Sequence, residues 1–169
     1  DVYKRQINDQ GEKVIDYRIT DISHVLEEAL ELMEFRFRRH RIEVSLDDIT
    51  SASAELNKNS LVQVFANLFI NAIHAMPDGG KLFLSVKNEE EQIHLNIRDT
   101  GSGIPDENLE KITQPLFTTK GAEGSGLGLA ICKEIVEVEH LGQFKIGNHP
   151  EGGAMVDIVI PKVREVDNG

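Results

Sequence analysis

The sequence predicts an α+β fold: a two-layer α/β sandwich in which a mixed β-sheet carries helices packed on one face. Three observations lead there. Long stretches repeat apolar residues at helical spacing, and others alternate apolar and polar residues as half-buried strands do. The two kinds of segment are mixed with hairpin signals and do not alternate strictly as βαβ units would.

The elements follow in chain order. Asp1 to Gln6 shows no periodicity and the chain starts without Met, so residues 1–13 are taken as non-native or linker residues. Residues 14–162 are taken as the domain and 163–169 as a tail. Val14 to Thr20 reads as a short strand. Asp21 or Ser23 can cap a helix whose apolar residues Ile22, Val25, Leu26, Ala29, Leu30, Met33 and Phe37 share one face. Ile42 to Leu46 alternates like a half-buried strand. Asn59 or Ser60 can cap a second helix that runs to about Met76, where Pro77 and Asp-Gly-Gly stop it. Lys81 to Lys87 and Gln92 to Asp99 flank an acidic connection and read as a hairpin. Pro105 to Ile112 reads as a short helix, Thr113 to Ser125 as a long loop, and Gly126 to Glu139 as a third main helix. Two last strands, Gln143 to Asn148 and Ala154 to Ile160, are joined by Pro-Glu-Gly-Gly.

Composition narrows the function. The 169 residues suit one domain; they are 40% hydrophobic and 28% charged, which is ordinary for a globular protein. Trp is absent, so the core rests on Leu, Ile, Val and Ala. No apolar run approaches the ~20 residues of a membrane span, and no signal-peptide pattern is present. Cys132 has no partner for an internal disulfide, which suggests a reducing, cytoplasmic setting. The formal net charge of −11 argues against a nucleic-acid surface. An acidic chain that binds phosphates must use backbone N–H groups, a metal ion and a few placed cations.

Three segments could supply such a site. On the second helix, Gln63, Asn67, Asn71 and His74 fall within about 80° of one another at ~100° per residue, on an otherwise apolar helix. Carboxamide oxygens suit Mg²⁺ and carboxamide N–H groups suit phosphate. A narrow solvent face lacking charges explains the stripe equally well. Ile93, Leu95 and Ile97 alternate up to Asp99, which is followed by Thr-Gly-Ser-Gly-Ile-Pro. A carboxylate there could accept from an exocyclic amine such as adenine's, with Gly101 and Gly103 admitting a flat ring; a strand-ending Asp in a glycine turn is the simpler alternative. Gly121, Gly124, Gly126 and Gly128 precede a helix, where free N–H groups and the helix dipole favour anions, with Lys120 the nearest cation. A hinge loop would look the same. Neither a P-loop nor a dinucleotide fingerprint is present.

Taken together, the segments resemble the superfamily of gyrase, heat-shock chaperone, mismatch-repair and histidine-kinase ATPases, with its Bergerat-type ATP-binding fold. Asn67 to Ala72, Asn-Leu-Phe-Ile-Asn-Ala, looks like the N box, and Asp99 to Pro105 like the first glycine box. Leu116 to Lys120, Leu-Phe-Thr-Thr-Lys, is similar to the kinase F box, and Gly124 to Ala130 to the second glycine box. All four stand in the family's order.

The resemblance implies ATP and Mg²⁺ as cofactors. Asn71 would coordinate the metal with Asn67 beside the phosphates, and Asp99 would bind the adenine amine near Gly101, Gly103 and Ile104. Phe117, Thr118, Thr119 and Lys120 would close on the nucleotide, with Lys120 approaching the terminal phosphate. Gly124, Ser125, Gly126, Leu127 and Gly128 would wrap the triphosphate. Gln63 holds the position from which some of these ATPases activate water with Glu; a neutral Gln can orient but is a poor base. It reads equally as a polar neighbour of the site. His74 stands where many of these kinases carry Lys, and Ala154 where Thr is frequent.

Ala-Met-Pro-Asp-Gly-Gly after the N box, with the compact Phe-Thr-Thr-Lys, resembles nitrogen-regulation-type sensor histidine kinases. Such kinases phosphorylate a histidine on a dimerisation domain and pass phosphate to a response-regulator receiver domain. His24, His40, His74, His94, His140 and His149 all lack an acceptor context, so the acceptor-bearing domain is expected to be missing here. The alternatives are a stand-alone anti-sigma-type serine kinase, whose usual His-Gly-Tyr ending of the N box is not seen, and a nucleotide-binding regulatory module without transfer activity. Neither nucleic acid nor direct membrane contact is expected.

Overall fold

The computed structural model describes residues 6–7, 13–14, 17–114 and 128–165. Its centre is a five-stranded mixed sheet of order β4-β6-β7-β9-β8, made of β4 (Ile42–Ile49), β6 (Gly80–Asn88), β7 (Gln92–Asp99), β8 (Gln143–Asn148) and β9 (Ala154–Pro161). β4 runs parallel to β6 with a register shift between Leu46 and Asp48, and the remaining pairs are antiparallel. The helices α1 (Ile22–Arg39), α2 (Lys58–Ala75) and α4 (Gly128–Glu134) cover one face of this sheet, as the predicted sandwich requires. Two smaller antiparallel pairs stand apart: β1 (Gln6–Ile7) with β2 (Lys13–Val14), and β3 (Arg18–Asp21) with β5 (Ser53–Leu56).

Strand alternation sorts the sheet's residues. Leu82, Leu84 and Val86 of β6, Ile93, Leu95 and Ile97 of β7, and Val156, Ile158 and Ile160 of β9 are all buried against the helices. The opposite face is polar: His94 Nε2 and Asn96 Nδ2 both lie 2.9 Å from Asp157 Oδ1. On the helical layer, Phe37 of α1 meets Phe69 of α2 edge to face at 5.7 Å, and Phe65 and Phe69 are fully buried. α4 sits on α2, with the Cys132 thiol donating to the Val64 carbonyl at 3.6 Å. No helix among the described residues is long and apolar enough to cross a membrane.

Several elements differ from the sequence reading. The expected strand from Val14 to Thr20 is two pieces, β2 and β3, and β4 runs on to Ile49. β5 is an additional strand of four residues, too short to show a period. α2 is capped by Asn57 and not by Asn59 or Ser60: Asn57 is extended (φ −92°, ψ 99°) and its Oδ1 accepts from Ser60 N–H at 3.2 Å. Three cap-competent residues within four positions made the choice illegible. The α1 cap is Asp21, which accepts from Ser23 N–H at 2.9 Å and from the Ser51 hydroxyl. Burial pushes its carboxyl up, but hydrogen bonds from Ser51, Ser23 and Ala52 outweigh that and bring it down to about 2. The short helix α3 holds only Asp106–Leu109 before passing into turns.

The third main helix does not run as α-helix to Glu139. Its last turn, Ile135–Glu139, is a π-turn, closed by His140 N–H donating to Ile135 carbonyl at 3.1 Å. The wider turn brings the His140 ring fully inside. Nδ1–H donates to the Ile135 carbonyl at 2.9 Å, and Nε2 accepts from Asn57 N–H at 3.1 Å beside the α2 cap. Burial lowers the pKa of His140, so both bonds belong to a neutral ring. Arg164 closes the same corner by donating to the Glu139 carbonyl at 2.9 Å and stacking 3.5 Å over the Tyr17 ring.

Candidate functional site

β7 delivers Asp99 at the end of its buried row, with 7% of its surface exposed. One carboxylate oxygen, Oδ1, accepts both local main-chain bonds, from Gly101 N–H at 2.9 Å and from Ala154 N–H at 3.1 Å. The second oxygen, Oδ2, takes part in neither bond. Burial raises the Asp99 pKa, while the two N–H donors and Arg98 pull against the rise.

Two close approaches hold this carboxylate. A Cβ at Gly153 (φ +85°) would overlap the Asp99 carbonyl oxygen, so only glycine lets the β8–β9 turn lie against the strand end. A Cβ at Gly101 would overlap the Ala75 carbonyl oxygen at the last residue of α2. Ser102 N–H donates to that same carbonyl at 3.2 Å. The loop after Asp99 is thereby tied to the end of α2, one turn beyond Asn71.

On α2, Gln63 and His74 are exposed, while Asn67 and Asn71 are half-buried, so the four predicted polar residues form a stripe on the helix's open side. Asn67 reaches across to α4, where its side chain hydrogen-bonds Cys132. Burial pushes the Cys132 thiol up to about 12, which leaves it a packing residue and no nucleophile. Among the described residues no group of three or more His, Cys, Asp or Glu could hold a metal ion. On the α2 stripe, the carboxamides of Gln63, Asn67 and Asn71 are the side-chain oxygens that could meet a hard cation.

The structure thus brings Gly101, in the loop after Asp99, to the C-terminal end of α2, sets Gly103 and Ile104 beside Asn148 at the end of β8, and places Gly128 as the first described residue of α4. Phe117, Thr118, Thr119, Lys120, Gly124, Ser125, Gly126 and Leu127 lie outside the described residues. Sequence reasoning gave no role in the site to Gly153 or Asn148. The Gly-Gly pair was visible only as a turn, and no local pattern shows which strand end that turn meets.

A two-layer sandwich with a buried carboxylate at a strand end, and a carboxamide stripe on the helix to which the following loop is tied, suits a nucleotide-binding domain. Residues 56–164 match the model of the histidine kinase-, DNA gyrase B-, and HSP90-like ATPase family, and the chain belongs to that family. It is 41% identical over 106 residues to sporulation kinase A of Bacillus subtilis, covering 63% of this chain and 17% of that kinase. The catalytic domain of the histidine kinase ThkA superposes with a TM-score of 0.81 at 30% identity, covering 88% of this chain and 97% of that domain. ThkA in complex with the response regulator TrrA superposes at 0.69 and 29% identity, covering 86% of this chain and 42% of that one. The fold is that of a histidine kinase catalytic domain, an ATP-binding type. The chain spans 17% to 36% of the length of the curated relatives it matches.

Proposed function

We propose that this chain binds Mg²⁺-ATP and donates the γ-phosphate to a histidine on a separate dimerisation domain, in two-component signal transduction. The observation that carries the reading is Asp99: Oδ1 is spent on two backbone N–H groups, which aims Oδ2 at an exocyclic amine in a nearly dry setting. In this reading residues 14–162 form the nucleotide-binding unit, and the parent protein works in the cytoplasm.

The α2 stripe fits a hard cation held together with phosphate. Asn71 would offer its carboxamide oxygen and Asn67 would donate to phosphate oxygens, which suits Mg²⁺ because that ion is usually shared between few protein ligands and its nucleotide. When bound, the ion would neutralise charge on the triphosphate. The chain's own residues do the rest by positioning. Asp99 fixes the base, the carboxamides fix the phosphates, and Gln63, exposed one turn before Asn67, can orient a group at the terminal phosphate. Phe117, Thr118, Thr119, Lys120 and Gly124 to Gly128 would enclose the triphosphate, and His74 would border it. A receiver domain of a response regulator is the expected onward acceptor, as the ThkA–TrrA complex suggests.

The test supplies labelled ATP to this chain alone and then with a histidine-bearing helical dimerisation domain added. No label on the chain alone and slow, acid-labile label on the added domain are expected, since mixing separate parts forfeits the effective concentration of a tether. Acid-labile label on the isolated chain would overturn the missing-acceptor reading. Acid-stable label on serine of an added protein would overturn histidine transfer in favour of a serine kinase.

A further inference from the structure

The loop after Asp99 has a second anchor, far from it in sequence. Asn148, the last residue of β8, pairs with Ala154 of β9, whose N–H bonds Asp99. Alternation along the strands sets Asp99, Ala154 and Asn148 in a row on the helix-facing side of the sheet. The Asn148 carboxamide meets the backbone of Ile104 at both of its ends: Ile104 N–H donates to Oδ1 at 2.7 Å, and Nδ2 donates to the Ile104 carbonyl at 2.7 Å. One side chain thus does for Ile104 what a neighbouring strand would do. The contact depends on Gly103 (φ +73°), where a Cβ would sit 2.9 Å from Asn148 Oδ1. A cavity of about 340 Å³ opens at this junction, bounded by Ser102, Gly103, Ile104, Asn148 and Gly153.

From this geometry we propose that Asn148 is a positioning residue for nucleotide-base recognition. It acts through the backbone of Ile104, holding the loop from Gly101 to Pro105 in the shape that keeps Asp99 aimed at the base. The Gly101 end of that loop is pinned by Asp99 and Ala75, and Asn148 pins the other end. An alanine at Asn148 would leave the Asp99 row intact but free the second half of the loop. The inference rests on the reading of Asp99 as the base acceptor.

The experiment measures ATP and GTP affinity by calorimetry for the chain, Asn148→Ala, Asp99→Asn and the double variant, with hydrogen exchange at Ile104 and thermal melts of the nucleotide-free proteins. Asn148→Ala should weaken ATP about tenfold and GTP little, since both exposed hydrogen bonds that hold Ile104 are lost. Protection at Ile104 should fall while the melting midpoint barely moves. In the double variant the losses should be clearly less than additive, because both changes act on one base contact. Full additivity, or equal weakening of ATP and GTP, would overturn the positioning role. Should Asn148→Ala fail to fold, Asn148→Ser, which keeps a small hydrogen-bonding group, carries the same comparison. If Asp99→Asn leaves ATP affinity untouched, the base-site reading itself falls. If Asp99→Asn weakens ATP and Asn148→Ala does not, only the role of Asn148 falls.

Discussion

The two described ends of the proposed nucleotide site, Asp99 for the base and the α2 stripe for phosphate, are built on opposite principles. At the base end, Asp99 is buried and its loop is held by main-chain bonds to Gly101, Ala154 and Ala75, with backbone packed so closely that Gly101 and Gly153 tolerate no side chain. At the phosphate end, Gln63, Asn67, Asn71 and His74 stand on the open side of one helix, half-buried or exposed. Discrimination between bases needs an acceptor that cannot move, and fixing it means burying a carboxylate at some cost in stability. Phosphate and metal binding tolerates adjustable side chains, because charge supplies strength without fine geometry. In the proposed reading, rigidity is concentrated where the ligand must be told from its relatives.

The largest way to break this contrast is Gly153→Ala. A methyl overlapping the Asp99 carbonyl at positive φ should cost about 2–5 kcal/mol of folding stability, measured by urea unfolding. A loss below about 1 kcal/mol would show that the base end relaxes easily, and the contrast would fail.

Asp99→Asn should weaken ATP about 10–100-fold, the loss of a hydrogen bond to a charged acceptor. It should also raise the melting midpoint of the nucleotide-free chain, since Asn can still accept the bonds from Gly101 and Ala154. The sign follows from linkage. The folded pKa of Asp99 is raised above the carboxylate's ordinary 3.8, so the folded state holds the proton more tightly than the unfolded one. The contribution of Asp99 to stability is therefore most favourable at acid pH and is lost as pH rises from about 3.8 through the raised value. Calorimetric melts across pH should show this trend in the parent and its loss in Asp99→Asn.

The smallest effect sharpens the other side of the comparison. Asn71→Ala removes a half-buried carboxamide from α2 and leaves a residue that suits a helix. ATP affinity should drop about tenfold with Mg²⁺ present and change little without it. An equal loss in both conditions would assign Asn71 to the nucleotide and not to the metal.

Much of this was legible in the sequence, for reasons that particular residues show. Ile93, Leu95 and Ile97 alternate into Asp99, so the carboxylate's place at the end of a core strand needed no tertiary information. The α2 stripe was legible because its polar residues follow helical spacing, and α1 because six of its apolar residues line up and are buried. What stayed hidden depends on partners distant in the chain. Gly153 meets Asp99, Asn148 meets Ile104, and His140 turns inward to Asn57. The π-turn that admits His140 left no visible signature, because it is the last turn and too few helical residues follow it for the shift in apolar phase to show.

The sheet order also governs how the chain assembles in time. β6 with β7 and β8 with β9 are antiparallel partners joined by short connections, so each hairpin can form by local encounter. The seam between the hairpins, where Gln92 meets Pro161 and Arg98 meets Met155, needs segments far apart in the chain to find each other. The closure cost grows only slowly with loop length, so the long excursion held between β7 and β9 adds little to it. The bond from Ala154 to Asp99 and the pair between Asn148 and Ile104 cross that seam. A half-zipped chain carries every residue of the proposed site but lacks the contacts that fix Asp99 and its loop, so nucleotide bound there would stabilise chiefly molecules that have already completed their sheet.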